Sequence, residues 1–185
     1  MFSLLNTIRL PFIEKYNLAD FEFSQSYLYF WDKIERTNYF LHAYISTRSE
    51  EVESRLVSWL LQEPYNDGGQ WDMLVNLVTK YGIVPKSAYP ECNCTENSRA
   101  FNSLITHKLR EFCLKIRKLS ADGKNETELH AERERMVGEI YRVCCIALGT
   151  PPTSFDWEDT DKDGKAESVQ GITPLRFYEE LIRPL

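Results

Sequence analysis

Three stretches repeat apolar residues at helical spacing, and each commits its own segment to a long helix. Tyr27, Trp31, Ile34, Leu41 and Ile45 follow a 4-3-7-4 spacing that gathers them on one face. Phe101, Leu104, Ile105, Leu109, Phe112, Ile116 and Leu119 make a second stripe, and Met136, Ile140, Val143 and Ala147 a third. Start and stop signals flank them. Ser24 is the expected N-cap of the first helix, Ser98 starts the second, and Thr127 opens the third. Asp122-Gly123 breaks the second and Gly149 stops the third. The aromatic residues of the first stripe are expected to pack a core.

Shorter elements fill the rest. Met1 to Leu10 reads as a helix with Leu4, Leu5 and Ile8 on one face, and Pro11 is expected to kink it or start a new turn. Ser49 is expected to cap another helix. Its first turn would hold Glu50 and Glu51, and its buried face Val52, Leu56, Trp59 and Leu60. Near the C-terminus Phe155-Asp156-Trp157-Glu158 alternates apolar and charged side chains, the signature of a half-exposed strand. Asp163-Gly164 predicts a turn, Ser168 to Ile172 a returning strand, and Thr173-Pro174 the start of a short helix. The fold class is α+β, mostly helical, with one small β-hairpin.

Composition narrows the function classes. A chain of 185 residues, 43% hydrophobic and 27% charged, is ordinary for a globular domain. A net charge of −6 argues against a dedicated nucleic-acid binder. No apolar run approaches the ~20 residues that a membrane span needs. The N-terminal residues lack a basic region followed by an apolar one with a cleavage site. Cys92-x-Cys94 and Cys144-Cys145, with Cys113, are awkward spacings for disulfides or a zinc cage. These features lead us to expect reduced thiols in the cytoplasm, with no cofactor and no metal.

The stretch with most chemical promise is Asn66-Asp67-Gly68-Gly69-Gln70-Trp71. Two glycines stand just before a helical repeat of Trp71, Leu74, Val75, Val78 and Tyr81, which Gly82 should end. Glycine pairs let another chain approach a backbone closely, and a peptide laid there pairs with its N–H and C=O groups as an added strand does. The plainer reading is a turn before a helix.

Neighbouring blocks favour the first reading. The segments LLNTIRLPF (Leu4 to Phe12), FEFSQSYLYFWDKIER (Phe21 to Arg36), NDGGQWDML (Asn66 to Leu74), YGIVPKSAYP (Tyr81 to Pro90), HKLREFC (His107 to Cys113) and ITPLRFYEE (Ile172 to Glu180) stand in the order seen in one family. The chain resembles the papain-like cysteine proteases of the bleomycin hydrolase (aminopeptidase C) type, over essentially its whole length. The resemblance implies the helical half of a papain-like fold. Residues 1–92 would form that half, 93–149 a helical insertion, and 150–185 the hairpin and short helix, all within a single partial domain. It implies a peptide or aminoacyl-amide substrate trimmed from its N-terminus, and a homohexameric assembly. It carries a substrate-binding role onto Gly68 and Gly69, whose backbone would pair with substrate, with Asn66, Asp67 and Trp71 beside them. It places no catalytic residue in these 185. The nucleophilic Cys would sit two positions before Met1, and the catalytic His and Asn beyond Leu185. The same resemblance leaves open a non-catalytic helical assembly module derived from that family.

Three further features have plainer explanations. Asp159-Thr160-Asp161-Lys162-Asp163-Gly164 imitates the start of a calcium loop, but the twelfth position is Gln170 where such a loop needs a bidentate Glu. An acidic hairpin is expected there. His42, His107 and His130 are expected to be surface or packing residues, and His107 and Cys113, six apart, should face opposite sides of one helix. The basic run from Lys108 to Lys118 reads as a solvated helix face.

Overall fold

The computed structural model describes residues 2–65 and 69–185, with side chains described from Leu5 onward. The elements in chain order are α1 (Phe2–Lys15), α2 (Gln25–Ser46), α3 (Arg55–Gln62), α4 (Trp71–Tyr81), α5 (Asn93–Glu96), α6 (Arg99–Ala121), α7 (Glu126–Leu148), β1 (Phe155–Thr160), β2 (Ala166–Ile172) and α8 (Pro174–Phe177). A π-helical turn, Tyr178–Ile182, follows α8. The contacts divide into two compact units. One comprises Met1–Trp31, Gly69–Glu96 and Thr150–Leu185, and the other Asp32–Gly68 and Asn97–Gly149.

The first unit is built around Phe12, which is fully buried. Its ring lies 4.5 Å from Phe21, 5.4 Å from Trp157 and 5.9 Å from Phe177, centroid to centroid. That cluster explains why α1 does not stop at Leu10. The helix runs through Pro11 to Lys15 because burying Phe12 outweighs the backbone hydrogen bond that proline forgoes. Asn17, at φ 50°, then reverses the chain. Ser24 caps α2 as expected: its Oγ accepts from the Tyr27 N–H at 3.0 Å.

β1 and β2 pair antiparallel, Trp157 opposite Val169 and Thr160 opposite Ala166, with a bulge between Phe155 and Trp157. Phe155 and Trp157 point into the core, and the intervening Asp156 is exposed. The segment from Asp159 to Gly164 is therefore the end of a strand and a hairpin turn. Asp161 Oδ1 accepts from the backbone of Asp163 and Lys165, and Gln170 donates from β2 to Glu158 at 2.7 Å. Thr173 caps α8 with Pro174 at its first position.

The second unit packs residues 32–46 of α2 with α3, α6 and α7. Leu41, Ile45, Ile105, Leu109, Ile116, Met136 and Ile140 are fully or almost fully buried. The helix α7 starts at a capping box, Asn125 with Glu128, two residues before the expected Thr127. Its buried face is Leu129, Met136, Ile140, Cys144 and Leu148, so Val143 and Ala147 flank the stripe. Leu104 of α6 is half exposed, and Ser98 precedes α6 without a side-chain cap bond.

The α3 region departs most from expectation. Its cap is Ser54, whose Oγ accepts from Val57 N–H, and not Ser49. The buried residues are Val57 and Leu60, while Val52, Leu56 and Trp59 are 48%, 46% and 64% exposed. The helix is amphipathic, with Arg55, Ser58 and Gln62 on one side, but its apolar arc is wide, and periodicity does not say which part of that arc is buried. Turns at Glu50 and Ser54 settle it by delaying the helix start.

Candidate functional site

Of the residues singled out for substrate contact, Asn66, Asp67 and Gly68 lie outside the described residues. Gly69 is exposed and leads through Gln70 into α4, where Met73 N–H donates to the Gln70 carbonyl at 3.1 Å. Trp71 is the first residue of α4 and is 55% exposed. The rest of the stripe divides. Leu74, Leu77 and Val78 anchor α4 in the first unit, while Trp71 and Val75 stay open to solvent.

Those open side chains line a groove of about 330 Å³. Thr7, Ile8 and Pro11 of α1 form one wall, Trp71, Val75 and Val78 of α4 another, and Ile182 and Leu185 close an end. The lining is mainly apolar, with Thr7, Tyr178 and Arg183 its polar members. A mainly apolar groove of this kind suits a ligand with an apolar side chain.

The far end of α4 is fixed by one close approach. Gly82 closes the helix at φ 75° and ψ −160°. A Cβ there would fall less than 3.0 Å from the backbone of Pro174 and Leu175. Ile83 N–H donates to the Pro174 carbonyl at 3.2 Å. Tyr81 stacks on Trp31 at 3.9 Å with the planes 10° apart, and its carbonyl accepts from the Tyr27 hydroxyl at 2.7 Å. The helix that presents Trp71 is thus held at its other end from three directions.

Among the described residues no cysteine and histidine come together as nucleophile and base. None of the five cysteines is in a disulfide. Burial pushes the Cys113 and Cys144 thiols each up to about 12, so both stay protonated at neutral pH. The imidazoles are engaged elsewhere. His107 meets Ser103 one turn back, His42 meets Arg133, and His130 lies 3.6 Å from Glu126. A thiol needs an adjacent base to act as nucleophile, and no Cys–His pair provides one. Among the described residues no group of three or more His, Cys, Asp or Glu is placed to hold a metal.

The basic run on α6 has a structural use that sequence reasoning missed. Arg117 donates to the carbonyls of Thr47, Arg48 and Glu50 and to the Tyr44 hydroxyl, closing the C-terminal end of α2. Arg110 does the same for α3 at Leu61 and Gln62. Lys108 and Lys115 pair with Glu139 and Glu132 of α7. Nothing local signals these partners, which lie 17 to 73 residues away.

The architecture, a helical body with one antiparallel hairpin, defines the class: the helical part of a papain-like cysteine peptidase. The crystal structure of PepW from Lactobacillus rhamnosis HN001 matches 97% of this chain at a TM-score of 0.93 and 41% identity, using 40% of the PepW chain. The Peptidase C1-like family model matches residues 1–184, and the chain belongs to that family. Bleomycin hydrolase of Homo sapiens is 51% identical over all of this chain and 41% of its own length. Aminopeptidase C of Streptococcus thermophilus is 43% identical over 98% of this chain and 41% of its own. The chain spans about two fifths of the length of these relatives.

Proposed function

We propose that this chain forms the cleft wall of a cysteine-type aminopeptidase of the bleomycin hydrolase type. Such an enzyme removes residues from the N-terminus of peptides and cleaves aminoacyl amides. The observation that carries this reading is the identity of 51% to bleomycin hydrolase and 43% to aminopeptidase C over 98–100% of this chain. Within this reading Gly68 and Gly69 offer backbone N–H and C=O groups to the substrate. Asn66 and Asp67 flank them, and Trp71 shapes the apolar side of the groove. The thiolate, its histidine and the orienting asparagine come from polypeptide outside these 185 residues, since the cysteines and histidines here make no pair. The setting is cytoplasmic, in keeping with five thiols and no disulfide. Assembly is homohexameric, and the largely exposed Leu114 and Ile146 of α6 and α7 support association through this helical region.

The test uses the complete protein. Under reducing conditions it should release fluorophore from an aminoacyl-aminomethylcoumarin, and iodoacetamide should abolish the release. Turnover that requires a metal and ignores iodoacetamide would overturn the assignment.

A further inference from the structure

One lysine lies where the helical pattern calls for an apolar side chain. Lys33 shares the buried face of α2 with Phe30, Ile34 and Thr37 and is only 2% exposed. A methionine would fill much of the same space without taking a charge out of water. A buried charge is retained where something meets it. Lys33 Nζ lies 4.2 Å from the centroid of the Tyr65 ring. An ammonium at that range is held by the ring's quadrupole, and more strongly away from water. Burial raises the Cys144 thiol of α7 and the Lys33 charge pulls against it, so the ammonium is felt on α7 as well. Lys33, Tyr65 and Cys144 all belong to the second unit.

Tyr65 holds a particular place in the chain. The helix α3 ends at Gln62, and the residues after it belong to no helix or strand. Such a connection takes its course from the side chains that tie it to the core. Pro64 ties it by burial, and the half-buried Tyr65 by its ring over Lys33. Four residues further on stands Gly69, whose backbone is offered to substrate in the peptidase reading.

We propose that Lys33 is a positioning residue for the substrate: from the core of α2 its ammonium holds the Tyr65 ring and so fixes where the chain enters the stretch that pairs with the peptide. The inference rests on the peptidase reading and deepens it. Lys33 acts through Tyr65, not on the reacting atoms.

Steady-state kinetics of the complete protein on an aminoacyl-aminomethylcoumarin test this. Lys33→Met removes the charge and keeps the bulk. It should raise KM about tenfold, with kcat within twofold and Tm not lowered. Tyr65→Phe keeps the ring and should match the wild type. Tyr65→Leu removes the ring and should raise KM as Lys33→Met does, and the double variant should be no worse than either single one. Should Lys33→Met fail to fold, the two variants of the half-buried Tyr65 decide. A lower kcat at unchanged KM is the mark of fewer folded molecules and would overturn the proposal. So would a Tyr65→Leu with wild-type KM, or single effects that multiply in the double variant. A wild type without iodoacetamide-sensitive turnover would overturn the peptidase reading and this inference with it. Normal wild-type turnover with an unchanged KM in Lys33→Met would overturn the inference alone.

Discussion

Replacing Gly82 by alanine tests how α4, and with it Trp71, is held. Two costs add at this position. The backbone at φ 75° and ψ −160° lies in a region open almost only to glycine, and strain of that kind costs about 1–3 kcal/mol. The added methyl also falls within 3.0 Å of the Pro174–Leu175 backbone, which cannot swing aside as a long side chain would. Forcing such a shift costs about 1–3 kcal/mol more. The sum, about 2–6 kcal/mol, is a large part of the 5–15 kcal/mol that typically holds a domain folded. Gly164→Ala is the control. Gly164 also has positive φ, at 83°, but a Cβ there meets nothing within 4 Å, so only strain of about 1–2 kcal/mol is expected. Urea unfolding of both variants in the complete protein, followed by tryptophan fluorescence, gives the difference directly. A Gly82→Ala loss within ~0.5 kcal/mol of the Gly164→Ala loss would refute the claim that the Pro174 contact fixes the end of α4.

Two other outcomes follow from the same geometry. Arg117→Leu keeps much of the apolar stem but leaves the carbonyls of Thr47, Arg48 and Glu50 without their donor. Thermal unfolding should show a loss of about 2–4 kcal/mol, against less than ~0.5 for Lys118→Leu on the exposed side of the same helix. At pH 8 iodoacetamide should label Cys92, Cys94 and Cys145 in the native state. Cys113 and Cys144, protonated and buried, should stay unlabelled by mass spectrometry until denaturant is added, and residues 1–185 alone should hydrolyse no aminoacyl substrate.

Local backbone signals in the sequence translated well. Ser24, Gly82, Gly149 and Thr173-Pro174 each bound a helix where expected, because a cap or a positive φ depends on the residue itself. Signals that depend on distant partners did not translate. Pro11 reads as a kink or the start of a new turn, and the ring cluster around Phe12, with members as far off as Phe177, accounts for the helix running on. The α3 segment has a wide apolar arc opposite Arg55, Ser58 and Gln62, so the choice of Val57 over Leu56 and Trp59 within that arc belongs to the helices around it. The α6 arginines look like a solvated face until the ends of α2 and α3 are placed beside them. At the candidate site the stripe from Trp71 to Tyr81 predicts a helix but not which of its residues remain open, and that openness makes the groove.

The claim that the segment before α4 lies along a peptide substrate is tested most directly by Gly69→Val in the complete protein. A branched side chain beside that backbone should block the approach of a peptide while the buried anchors Leu74, Leu77 and Val78 keep α4 in place. The account predicts that kcat/KM for an aminoacyl-aminomethylcoumarin falls at least tenfold, about 1.4 kcal/mol of transition-state binding, with circular dichroism and Tm unchanged. A kcat/KM equal to that of the wild type would contradict it.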